Sequence, residues 1–150
     1  MNQKIREIAG SLISVGILIF YFKALWQMVE KVKGWIPGNG PVEFSDGTIL
    51  LATGLGGLVS AVVITTLGIS KPGKAPTGAV QELSKDFGQI TMAIIAIAYV
   101  GVWLFLGGYA AIYGVIRMPD ASSTLHEMGI AWFGLLLGAG YAYFGINPPK

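Results

Sequence analysis

The sequence predicts an all-α fold: an integral membrane four-transmembrane-helix bundle with short loops. Three observations predict it. Four apolar stretches, at about 8–28, 48–69, 90–116 and 128–146, approach or exceed the ~20 residues an α-helix needs to cross a hydrocarbon core about 30 Å thick. Of 10 basic and 8 acidic side chains, only Lys23 falls clearly inside one of those stretches. Hydrophobic residues make up 53% of the chain and charged ones 12%, about half the charge fraction of a soluble domain. The spans occupy more than half of the 150 residues, so residues 1–150 form a single four-span membrane domain.

The first helix is expected from near Gln3 to about Lys33, where Gly34 and the Pro37-Gly38-Asn39-Gly40-Pro41 run stop it. Lys4 and Arg6 followed by an apolar run imitate a signal peptide. The small residues of a cleavage site are replaced by Tyr21-Phe22-Lys23-Ala24-Leu25-Trp26, so the segment reads as a retained span. Lys23 lies near the end of that span. There its ammonium can snorkel to the headgroups beside Trp26 and Trp35, which is preferred to an intramembrane substrate or counter-ion role.

Ser45 or Asp46 is placed to cap the second helix, a simpler role for the acids here than a cation site on Glu43 and Asp46. That helix should run to about Ser70, and Pro72 forbids its continuation. The third is expected to begin as early as Thr77, with Val80, Leu83, Phe87, Ile90 and Ile94 on one face. Met118-Pro119-Asp120 ends it. Thr124 and Glu127 match the T-x-x-E capping box at the head of the fourth helix, and Asn147-Pro148-Pro149 stops it.

The 22 glycines provide the second signal, because helices in lipid associate through small residues that let backbones approach. On the second span Ala52, Gly56 and Ser60 form one row, with Thr53, Gly57, Ala61 and Thr65 beside it. The third offers Gly107, Ala110, Ala111 and Gly114, and the fourth Gly134, Gly138, Ala142 and Gly145. These rows are too many for four helices to bury among themselves, so they are expected to serve both the bundle and a neighbouring subunit. A leucine at Gly57 or Gly138 should therefore disrupt packing or assembly. The aromatic residues read as an interfacial belt with lipid contacts, in preference to a cage for a quinone or pigment.

No catalytic or metal-binding residue is predicted. The chain has no cysteine, which removes disulfides, thiolate metal sites and cysteine nucleophiles. His126 is the only histidine and reads as a solvated interfacial residue whose loss should be nearly silent. The acids lie in loops or helix ends, which argues against an enzyme and against proton- or cation-coupled transport. A G-x-x-x-x-G-K pattern from Gly68 to Lys74 is followed by Ala75 instead of Ser or Thr and leaves a span rather than a strand, so it is not a phosphate-binding loop. With a net charge of +2 and no basic tract, no nucleic acid partner is indicated.

What remains is a non-catalytic structural or accessory subunit packing through its Gly/Ala/Ser-rich faces within a larger membrane assembly. No cofactor is predicted. The partners are the lipid bilayer and either other membrane subunits or copies of itself. A homo-oligomeric pore or holin-like small channel is the alternative, and a transporter of a neutral small solute the third reading. Lys4, Arg6, Lys71, Lys74, Lys85 and Lys150 on one side, against Lys23, Lys31, Lys33 and Arg117 on the other, place both termini in the cytoplasm. The membrane is expected to be a bacterial or archaeal inner membrane.

Overall fold

The computed structural model describes residues 3–69 and 87–144. They form four helices: α1 (Gln3–Lys33), α2 (Asp46–Ile69), α3 (Phe87–Ala111) and α4 (Ser123–Phe144). A π-helical turn, Ile112–Arg117, follows α3 directly. The expected start of the third helix at Thr77 and the G-x-x-x-x-G-K pattern beyond Ile69 lie outside the described residues, as does Gly145.

Helix α1 has the bounds expected from its flanking glycine and prolines. The turn after it runs Ile36-Pro37-Gly38-Asn39, closed by Asn39 N–H donating to Ile36 O at 3.1 Å. Gly38 has φ of 97°, which a side chain would strain and which the third position of a Pro-Gly turn requires. Ser45 caps α2: its Oγ accepts from Thr48 N–H at 3.3 Å, and its carbonyl accepts the first helical bond from Ile49.

α1 packs on α2 and α3, and α4 also packs on α2 and α3; α2 touches α3, leaving α1 and α4 at opposite corners. Val42 N–H donates to Ala121 O at 2.7 Å, tying the connection after α1 to the one before α4 at one end of the bundle. The core lies between the helices and holds Tyr21, Met28, Val59, Val63, Tyr99, Trp103, Leu106, Leu125 and Ala139. Large apolar residues such as Leu12, Phe20, Leu50, Ile94, Phe105 and Leu137 point outward, an exterior suited to lipid tails rather than water.

Among the described residues three helices are long and apolar enough to cross a membrane, over Ile8–Lys33, Asp46–Leu67 and Ala93–Arg117. The fourth expected span is not among them. α4 has the length, at 22 residues, but falls short in hydropathy over its described residues, and the expected span 128–146 continues past the last of them, Phe144.

The cap of α4 also differs from the expected Thr124–Glu127 box. Ser122 Oγ accepts from Leu125 N–H at 3.3 Å, and Ser122 O accepts the first helical bond from His126. Thr124 sits inside the first turn. A serine two residues earlier wins because it is buried, and the N–H it satisfies has no water to turn to.

Candidate interaction faces

The small-residue rows divide into two kinds. Ala52, Gly56 and Ser60 face inward. Ala52 and Ser60 are buried, and a Cβ on Gly56 would stand 3.4 Å from Cε2 of Tyr21 on α1. Ser60 is also spoken for chemically: it accepts from Trp103 Nε1–H at 2.8 Å and donates to Gly56 O at 2.7 Å. The chain Trp103–Ser60–Gly56 joins α3 to α2 through buried polar groups, each with its partner. A matching tie joins α3 to α1, where Tyr99 Oη–H donates to Ser14 O at 2.7 Å.

Thr53, Gly57, Ala61 and Thr65 all face outward. Nothing lies within 4 Å of a Cβ on Gly57. The Thr53 and Thr65 hydroxyls donate to their own helix, at Ile49 O and Ala61 O, which leaves the row smooth. On α4 nothing lies within 4 Å of a Cβ on Gly134 or Gly138, and Ala142 is half-buried.

The tightest approach is between α3 and α4. Gly107, Ala111 and Gly114 are buried there as one face. A Cβ on Gly107 would fall inside the indole of Trp132, whose Cε2 lies 2.7 Å from that position. A Cβ on Gly114 would meet Leu125 O at 2.6 Å. From α4, Gly129 presses on Ala111 and Val115. The α4 residues that matter here, Leu125, Gly129 and Trp132, lie outside the expected small-residue row. Their signal was the i, i+4, i+7 spacing around a single glycine. Trp132 Nε1 is shielded without an acceptor among the described residues, so its ring is seated by shape.

His126 has a structural partner. In the π-helical turn Met118 N–H donates to Tyr113 O at 2.9 Å, five residues back. The next donor in that register would be Pro119, which has no N–H, so the carbonyl of Gly114 is orphaned. His126 Nδ1 lies 3.0 Å from it and fills the gap. A carbonyl only accepts, so Nδ1 carries the hydrogen and donates it. His126→Ala is therefore expected to cost about 1 kcal/mol, read as a lower midpoint of unfolding in a denaturing-detergent titration. An unchanged midpoint would return the residue to the solvated role expected from sequence.

At the same end of the bundle, the outer surfaces of α1 and α3 carry a connected aromatic strip. Phe22 stacks on Trp26 (centroids 5.8 Å apart), Trp26 on Tyr109 (5.7 Å), and Tyr109 on Phe105 (6.1 Å). Tyr113 meets Tyr109 edge-on at 5.0 Å. Two cations stand over this strip. Lys33 Nζ lies 5.9 Å from the Tyr109 centroid and 6.0 Å from that of Tyr113, and the Arg117 guanidinium lies 5.3 Å from Tyr113. Lys23 is exposed on α1.

Among the described residues no group of three or more His, Asp or Glu side chains could hold a metal ion. No protein-family model matches the chain, and no characterised protein or solved structure is significantly similar to it.

Proposed function

We propose that the protein is a non-catalytic membrane subunit that docks on another membrane protein through the outer small-residue row of α2. In this reading all four helices cross the bilayer, α4 included, since Ile130, Phe133, Leu137 and Phe144 present an apolar outer face. The observation that carries it is the division of α2. Ala52, Gly56 and Ser60 serve the chain's own packing, whereas Thr53, Gly57, Ala61 and Thr65 have the same small-residue character with nothing against Gly57. Close backbone approach is the usual source of helix affinity in lipid, and here it is left for a partner.

A homo-oligomeric pore would use the same face but needs a polar path. The Thr53 and Thr65 hydroxyls are turned onto their own backbone, and Ser60 is held by Trp103, which supports the docking role over the pore.

The test is the composition of the native species after gentle extraction. Foreign subunits are expected at a fixed ratio. Gly57→Leu should weaken that association about ten-fold or more while leaving the chain folded, because the position is exposed and nothing of its own protein lies within 4 Å of a Cβ there. A wild-type species built only from copies of this chain would favour the pore. Full assembly of Gly57→Leu would remove this row from the interface.

A further inference from the structure

The strip between α1 and α3 has the order of a phospholipid. Phe22 and Trp26 are each 38% exposed and Phe105 63%, and they lie within the apolar spans Ile8–Lys33 and Ala93–Arg117. Lys33 and Arg117 close those spans. Charge stands at the membrane interface, then, with a stacked apolar surface leading inward from it. Glu30 already holds Lys33 at 2.8 Å and partly offsets its charge. Arg117 has no carboxylate within ion-pair distance among the described residues. Its Nη1–H donates to Tyr113 Oη at 3.2 Å, which fixes the guanidinium against the ring and leaves its other N–H groups for an anion. A guanidinium held this way matches a phosphate, and two cations converging on one tyrosine prefer an anionic headgroup to a zwitterionic one.

We propose that this seam binds an anionic glycerophospholipid. Arg117 and Lys33 hold its phosphate, and one acyl chain lies along Phe22, Trp26 and Phe105. The inference rests on insertion in a bilayer and is independent of the accessory-subunit reading.

The test uses the full chain in phosphatidylcholine vesicles and in vesicles doped with phosphatidylglycerol, either lipid brominated on its acyl chains to quench tryptophan. Subtracting the signal of Trp26→Phe isolates Trp26. Brominated phosphatidylglycerol is expected to occupy the seam about five-fold more readily than brominated phosphatidylcholine for each cation that contributes. The preference should be lost in Arg117→Gln/Lys33→Gln and kept in Lys23→Gln, since Lys33 and Arg117, not Lys23, stand over the rings of the strip. Equal quenching of Trp26 by the two lipids would overturn the proposal. So would an equal loss in Lys23→Gln, which would mean bulk surface charge. Displacement by inorganic phosphate would make the seam an anion site rather than a lipid site. Should the double variant fail to fold, the wild-type arm still decides: a phosphatidylglycerol-specific signal that survives Trp26→Phe refutes the site.

Discussion

Gly114→Ala is expected to destabilise the protein by about 3 kcal/mol, at the upper end of the range for overpacking a core. The added methyl would stand 2.6 Å from Leu125 O and 2.8 Å from Leu125 C, and both are backbone atoms. No rotamer change can clear them; α4 must move off α3. That motion also separates His126 from the Gly114 carbonyl it satisfies, so a packing fault becomes an unsatisfied buried acceptor as well. Denaturing-detergent titration of Gly114→Ala against Gly138→Ala gives a matched comparison, because nothing lies within 4 Å of a Cβ on Gly138. The Gly138 variant should unfold within about 0.5 kcal/mol of wild type. Equal midpoints for the two variants would contradict the close α3–α4 approach.

Trp103→Ala should cost a similar amount, about 3 kcal/mol, the low end for removing a buried tryptophan. Its side chain is 1% exposed and packs against Trp132 at 5.4 Å. The low end applies because the alternative environment in a membrane is lipid rather than water, so the loss is mainly cavity formation and dispersion. Trp103→Phe separates the hydrogen bond from the volume. With Ser60→Ala it completes a double-mutant cycle whose coupling is expected at about 0.6 kcal/mol, and no more than about 1.7, the span measured for interhelical bonds in membranes. A coupling of zero would mean that Ser60 and Trp103 do not act as a pair.

The helices were legible in the sequence where local chemistry decides them. Gly34 and Pro37 end α1, and Ser45 opens α2, at the positions their backbone preferences require. The cap of α4 was misplaced because Ser122 and Thr124 are both competent acceptors, and burial selects between them. The π-helical turn was not legible. No residue in 112–117 demands it, and its stabilising bond comes from His126, which the chain reaches only after turning back into α4.

The candidate faces split along the same line. Small residues at four-residue spacing identify every row able to bring backbones together, but the spacing is identical for rows used inside and outside the bundle. Ala52, Gly56 and Ser60 go inward because Tyr21 and Trp103 fill the space over them. Thr53, Gly57, Ala61 and Thr65, one position along, face outward. On α4 Gly134 and Gly138 are open, while Gly129 carries the contact, because rotation about the helix axis is set by Leu125 and Trp132 seating on α3.

By itself, then, the sequence determined that the chain is helical, that α1 stops at Gly34 and Pro37, and that its helices are apolar enough to be membrane spans; it pointed to four such spans, and three of the described helices qualify. These are local properties of composition and backbone conformation. Only the tertiary structure decided which small-residue faces are spent on the protein's own packing, what His126 holds, and that Lys33 and Arg117 share one tyrosine. Each of these depends on the rotation and approach of whole helices, which are set by the fit of side chains far apart in the chain.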